Sequence, residues 1–279
     1  MSFPPVQIFN PVEGRRHTHT LILLHGRGST GEEFAEELLD SHFSSSSSGE
    51  KTNIQTLRDR LPSWRLVFPS SKELYSSTFQ EEFPQWFDIA SLTDPTAGPE
   101  LQYPGLQESV GYLKDVIRNE VALLGENGET KLFFGGISMG FATAMWTFLA
   151  LDRKIGGFVG ASGWLPFSRQ IKDYFCADGK EYRKTDEEGF VHNMLAGTKL
   201  AVRDGVSELH ETPLSLGHGI DDEHVDVKLG IQARDVLIHM RFLVEWKEYA
   251  GAEPEGHWLK EPEEVREIVE FLEQNSGTE

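Results

Sequence analysis

Residues 131–151 constrain the fold of this chain more tightly than any other segment. The apolar run Lys131-Leu132-Phe133-Phe134 meets the turn Gly136-Ile137-Ser138-Met139-Gly140, which opens at once into a helical pattern, Met139–Leu151. Few arrangements other than a strand turning sharply into a helix satisfy that order. Small residues on either side of Ser138 let the chain reverse within a few positions, so the hydroxyl stands clear of the backbone. A serine so placed lies at a helix N-terminus, which favours the negative charge that develops during acyl transfer. A glycine-rich turn that holds a serine by chance has the same spelling, so the rest of the chain has to decide.

The rest repeats the theme. Short apolar runs at Thr20–Leu24, Arg65–Phe68, Ile155–Val159, Leu214–Leu216 and Met240–Trp246 read as further strands. Helical patterns fall between them at Gly31–Leu39, Leu106–Leu124 and Glu261–Gln274. Val110, Leu113, Ile117, Val121 and Leu124 share one face of the second, and Val265, Ile268, Val269 and Leu272 one face of the third. Strands alternating with helices predict an α/β fold, a mostly parallel central sheet with helices on both faces. There is no internal repeat and no linker between two cores, so residues 1–279 are expected to form a single domain. Two segments break the rhythm. The serines at Ser44–Ser48, followed by Gly49, read as a loop insertion. The polar stretch from about Pro166 to Thr212 is too long for an ordinary connection and is a candidate lid, partly helical.

Composition narrows the partners. Hydrophobic residues make up 38% and aromatics 11%, enough for a sizeable core. Twenty-six basic against forty-five acidic residues give a formal charge of −19, which phosphate backbones and anionic headgroups repel, so nucleic acid is not an expected partner. Cys176 is the single cysteine, and no cation or base beside it in sequence activates it. The start MSFPPVQIFNPVEG lacks the basic and apolar regions of a signal peptide, and no run approaches the ~20 apolar residues of a membrane span. The expected compartment is the cytoplasm. Oligomeric state is not legible.

Chemistry follows from the loops. Leu24-His25-Gly26-Arg27-Gly28 directly follows a strand, where the α/β-hydrolase fold takes one backbone N–H for its oxyanion hole. That fold then brings an acid before a base in chain order. Gly217-His218-Gly219-Ile220-Asp221-Asp222 follows the strand Leu214–Leu216, and Gly256-His257 precedes the last helix. His257 is the expected base for Ser138, with Asp221 or Asp222 as its orienting acid. A rival reading makes metal ligands of His210, His218, Asp221, Asp222, His224 and Asp226. Their spacing matches no helical or hairpin metal motif, and the serine turn would be left without a use. No metal and no cofactor are therefore expected.

These residues resemble the acyl-protein thioesterase/carboxylesterase family, also called the phospholipase/carboxylesterase family, from about Thr20 to Leu272. His25-Gly26-Arg27-Gly28 is similar to its HGxG loop, Trp86-Phe87-Asp88 to its WFD segment, and Gly135–Gly140 to its GGxSxG elbow. Ser162-Gly163-Trp164-Leu165-Pro166 resembles its SGWLP strand end, and His218-Gly219-x-x-Asp222-x-x-Val225 its HGxxDxxV loop, which selects Asp222 over Asp221. The resemblance implies a serine esterase or thioesterase acting through an acyl-serine, with Ser138, Asp222 and His257 catalytic and the N–H groups of Arg27 and Met139 as oxyanion hole. Small esters, lysophospholipids or acylated proteins are the implied substrates; a non-catalytic binding protein on the same fold is the alternative. Ser29, Met139 and Phe141 depart from the family pattern, as does the length of 166–212.

Overall fold

Each of the six apolar runs becomes one strand of a parallel array. The computed structural model describes residues 2–44, 54–91, 93–151, 153–176, 186–196 and 207–277. In chain order its elements are β1 (Gln7–Phe9), β2 (His19–Leu24), α1 (Gly31–Asp40), β3 (Phe43–Ser44), β4 (Ile54–Gln55), α2 (Leu57–Arg60), β5 (Trp64–Phe68), β6 (Lys72–Ser76) and β7 (Glu81–Gln85). There follow α3 (Pro99–Leu124), β8 (Leu132–Ile137), α4 (Met139–Leu149), β9 (Gly157–Ala161), α5 (Ser168–Cys176), α6 (Asp186–Leu195), β10 (Leu214–Gly219), α7 (Val227–His239), β11 (Val244–Tyr249) and α8 (Glu263–Asn275).

The main sheet has seven strands in the order β1-β5-β2-β8-β9-β10-β11. Only β1 runs antiparallel to its neighbour. The central strands β2 and β8 are buried at every position, as expected where helices cover both faces. Alternation divides their side chains: Ile22, Leu24 and Phe134 join one core with α3, α4 and α7, while Leu21, Leu23 and Phe133 join the other with α1 and α8. At the far edge β11 alternates half-buried Val244 and Trp246 with exposed Glu245, Lys247 and Glu248.

Helix starts follow local chemistry. Thr30 accepts from the Glu33 N–H and Glu33 returns a bond to the Thr30 N–H, a reciprocal cap that opens α1. Helix α3 begins at Pro99, earlier than the apolar pattern from Leu106 predicts, because Pro104 reads as a breaker yet lies inside the helix. Packing supplies the compensation: Gly105 closes onto Phe87, and Gln102 is buried with its amide donating to Pro95 O (2.7 Å). Strand β11 starts at Val244 rather than Met240, since Met240 caps α7 and Arg241 turns out of it with φ 71°. β1, the β6–β7 hairpin and α7 are additions that the periodicity reading does not contain.

The segment after Pro166 is partly helical. Its α5 and α6 pack on the core: Ile171, Phe190 and Leu195 are buried, and Phe190 stacks on Tyr103 at 4.4 Å. Residues 177–185 and 197–206, which hold much of its charge, and the serines beyond Ser44 lie outside the described residues. No described helix is long and apolar enough to cross a membrane.

Candidate active site

Ser138 joins β8 to α4 with φ 57° and ψ −125°, a conformation that costs a non-glycine residue roughly 1–3 kcal/mol. The surroundings impose it. The Ser138 N–H donates to Ala161 O on β9 (3.0 Å). A Cβ on Gly140 would lie 2.4 Å from the carbonyl oxygens of Leu24 and His25, so only glycine lets α4 start this close to the end of β2. Phe141, a departure from the family pattern, fills the space above Gly160 and Gly163, where a Cβ would meet its ring at 2.1 and 2.4 Å. Helix α4 is buried along its whole length.

The loop after β2 sits against the elbow. A Cβ on Gly26 would lie 3.3 Å from Ser138 Cβ. His25 ties the loop in place: its Nδ1 is 2.6 Å from Gly26 O, and its Nε2 is 3.0 Å from the Ser71 N–H. A carbonyl can only accept and an N–H can only donate, so the ring is neutral with its proton on Nδ1. Burial agrees, pushing His25 down to about 4. Trp86 Nε1–H donates to His25 O (2.9 Å), and the Gly28 N–H to Pro84 O (2.8 Å) on the β6–β7 hairpin. The Arg27 guanidinium lies over Phe79 at 4.9 Å. Among the described residues the N–H groups of Arg27 and Met139 have no hydrogen-bond partner. Asp88 braces the hairpin, accepting from the N–H groups of Ser77 (3.0 Å) and Ile89 (2.9 Å).

Asp222 follows β10 and His257 follows β11. His257 Nδ1 lies 2.9 Å from Asp222 Oδ2 and 3.0 Å from Oδ1. Asp222 Oδ1 also accepts from the N–H groups of His224 (2.8 Å) and Val225 (2.9 Å). The Nε2–H of His218 donates to Val225 O at 2.8 Å and lies 3.4 Å from Asp222 Oδ2. Burial pushes the Asp222 carboxyl up, but the hydrogen bonds from His218, His257 and the Val225 N–H, with the charge of His257, outweigh it and hold the group well below the usual carboxylate range. The two loops touch directly: a Cβ on Gly219 would lie 2.2 Å from Gly256 O, and Gly256 itself has φ 74°.

The other residues of the rival metal reading go separate ways. Asp221 accepts from the Gly251 N–H (2.8 Å), Asp226 caps α7 through the Lys228 N–H (2.9 Å), and His210 contacts Ser207 O (3.2 Å). Among the described residues no group of three or more His, Cys, Asp or Glu is arranged to hold a metal ion. Sequence reasoning quoted His25 and His218 within motifs, and His218 as a metal ligand of the rival reading, but found neither one's structural role. For His218 a signal existed: Gly230 on α7 leaves room for it, a Cβ there lying 2.4 Å from His218 Nδ1, but that contact is invisible without the helix.

A strained serine elbow after the fourth strand in line, with a glycine loop packed against it, and an aspartate–histidine pair on the loops after the last two strands of a mostly parallel sheet are the parts of an α/β-hydrolase. The sequence model of the phospholipase/carboxylesterase family matches residues 10–182. The chain belongs to that family, a family of ester hydrolases. Acyl-protein thioesterase 1 of Yarrowia lipolytica is 28% identical over 266 residues, covering 93% of this chain and 92% of the relative. The probable carboxylesterase SOBER1-like of Arabidopsis thaliana is 27% identical over 255 residues, covering 91% and 78%. The crystal structure of Zea mays acyl-protein thioesterase 2 shares the fold, with a TM-score of 0.68 and 24% identity across 99% of this chain and 100% of that one.

Proposed function

We propose that the chain is a serine esterase or thioesterase that acts through an acyl-serine, with Ser138 as nucleophile, His257 as base and Asp222 as orienting acid. The observation that carries this reading is the buried Asp222 carboxylate held on His257 Nδ1 at 2.9 Å, on the loop next after it in the fold order. With its proton held on Nδ1, the neutral ring offers Nε2 as proton acceptor. His257 takes the Ser138 Oγ proton as Oγ attacks the acyl carbonyl. The tetrahedral oxyanion is met by the N–H groups of Arg27 and Met139, and His257 returns the proton to the departing thiol or alcohol. Water, deprotonated by the same ring, then releases the acid.

Acyl-protein thioesterase activity is the finer form of the proposal, supported by the relatives of that name and by the shared SGWLP and HGxxDxxV segments. A lysophospholipase-type esterase uses the same machinery. The non-catalytic binding protein gives no use for both a strained serine elbow and a buried aspartate held on a histidine. Ser162 Oγ and Trp164 Nε1, buried without partners among the described residues, supply polar atoms on the loop after β9, beside the elbow.

An active-serine phosphonate is expected to label one peptide, the one containing Ser138. Ser138→Ala should abolish labelling and lower aryl-ester turnover by about 10⁶-fold. Labelling at another residue, or turnover retained in the purified variant, would overturn the assignment.

A further inference from the structure

The loop after β2 carries a cation that no carboxylate claims. Among the described residues the Arg27 guanidinium has neither a hydrogen-bond acceptor nor an ion-pair partner. Carboxylates are not scarce in a chain with forty-five acidic residues against twenty-six basic ones. Arg60, Arg65, Arg153 and Arg234 each pair with one. What holds Arg27 is aromatic instead: its guanidinium carbon lies 4.9 Å from the Phe79 ring centroid and 5.9 Å from that of Phe83, both on the β6–β7 hairpin.

The residues on either side fix the loop. The Gly28 N–H donates to Pro84 O (2.8 Å), and a Cβ on Gly28 would lie 2.7 Å from the Phe83 ring. A Cβ on Gly26 would lie 3.8 Å from Ser138 Oγ. Arg27 thus stands between a contact with the hairpin and a contact with the elbow. Burial lowers its pKa from the ordinary value and the charge of Asp88 raises it, but the Asp88 oxygens already accept from the N–H groups of Ser77 (3.0 Å) and Ile89 (2.9 Å) and from the Ser77 hydroxyl. The guanidinium stays ionised, with five N–H donors and nothing to receive them. Nη1 is its one nitrogen sealed from solvent, so the edge formed by Nε and Nη2 remains open. That edge is the fork that holds an oxyanion through two parallel bonds. A charge left partly buried without a partner is unfavourable, and ring stacking offsets only part of the loss.

We propose that Arg27 is a specificity residue: its Nε–Nη2 edge receives an anionic oxygen group, carboxylate or phosphate, carried by the ester substrate, so that anionic small esters are preferred to their neutral counterparts. This rests on Ser138 being the nucleophile, which puts the loop of Arg27 in the wall of the ester site. The backbone N–H of Arg27 then serves the oxyanion, and its side chain serves a charge that the reaction leaves unchanged. The net charge of −19 repels anions and by itself favours neutral esters, so the predicted preference runs against the field of the whole chain.

Two matched pairs of esters test this. An aryl half ester of glutaric acid against its methyl ester places the charge on the acyl side; the acetyl ester of 2-phosphoethanol against that of 2-methoxyethanol places it on the leaving group. The quantity read is the ratio of kcat/KM, anionic over neutral, within each enzyme, so a disturbance of the oxyanion loop common to both esters cancels. Arg27→Gln should lower the ratio for one pair by about 10–100-fold, and the pair that responds identifies the source of the anion. Arg27→Lys, which keeps the charge without the fork, should fall between Arg27→Gln and the parent. Binding is read apart from turnover by NMR: in Ser138→Ala the Arg27 Nε–H resonance, assigned by its absence from Arg27→Gln, should move saturably with glutarate or with 2-phosphoethanol. Ratios unchanged in both pairs, or a resonance indifferent to both anions, overturn the inference. Turnover surviving Ser138→Ala would instead break the nucleophile assignment, and the resonance would still decide the role of Arg27.

Discussion

The elbow and the loops of the proposed acid and base all follow the carboxyl ends of parallel strands but are held by different means. Ser138 is fixed by backbone and shape: a strained φ, one main-chain bond to Ala161, and glycines through which α4 closes on β2. No side-chain hydrogen bond caps its helix. Asp222 and His257 are fixed mainly by polar side-chain contacts, to each other, to His218, and to the N–H groups of the acid loop. The first arrangement is insensitive to pH and salt. The second can titrate, and it stands where part of the site meets water. A nucleophile that must only be presented can be set by packing, whereas a proton acceptor has to be set by charge.

Breaking the polar half should cost most in rate. Asp222→Ala is expected to lower kcat/KM for an aryl ester by about 10⁴-fold, while Asp221→Ala, which removes only the bond from Gly251, stays within about tenfold. Equal losses would mean that the acid is misassigned. Breaking the packed half should cost most in stability. Gly140→Ala forces a methyl into two carbonyl oxygens and should lower the unfolding free energy by about 3–4 kcal/mol. His257→Gln, on a half-buried loop, should stay within about 1 kcal/mol. Urea midpoints compare the two, and similar losses would dissolve the distinction.

A buried carboxylate on the next helix sharpens the contrast by pH. Glu264, in the first turn of α8, lies beneath the strand that leads to Asp222, where a Cβ on Gly217 would meet its Oε1. Its Oε2 accepts from the Lys260 N–H (2.8 Å). Burial raises its carboxyl from 4.5 to about 7. Between those values the folded protein holds a proton that the unfolded chain has released, so stability is full below about pH 4.5 and falls as pH rises to 7. The loss amounts to about 3 kcal/mol at alkaline pH. Glu264→Gln should flatten this part of the Tm-against-pH curve; an unchanged slope would assign it to other groups.

Backbone-encoded features were the legible ones. The elbow is visible because glycines must stand at fixed offsets from the serine, and the central strands β2, β8 and β9 because burial on both faces leaves continuous apolar runs. Polar-encoded features were visible only where a motif carried them: Asp222 was separated from Asp221 by resemblance, not by spacing. The structure supplies a physical difference, since the Asp221 carboxylate faces Gly251 and that of Asp222 faces His257. His25 and His218 stand inside quoted motifs, but what each does depends on distant partners, Ser71 and Trp86 for the first and Gly230 on α7 for the second. Helix α7 did have one, the Asp226 cap followed by Ala233, Val236 and Leu237 at helical spacing, but its glycine and charges blur the pattern. Ile171, Phe190 and Leu195, in the segment that broke the strand–helix rhythm, are buried because α5 and α6 dock on α3, α4 and α7.

The alternation along β11 bears on encounters between copies of the chain. A parallel sheet that ends in an open strand presents main-chain donors and acceptors to any extended segment that drifts past, the first step of strand exchange and fibre growth. Here Glu245, Lys247 and Glu248 stand exposed along that strand, and an added strand would have to bury or match these charges. The opposite edge is protected by brevity: β1 spans three residues, with Pro4 and Pro5 before it and Pro11 after it. Charge at one end and proline at the other make the sheet a poor template for its own kind.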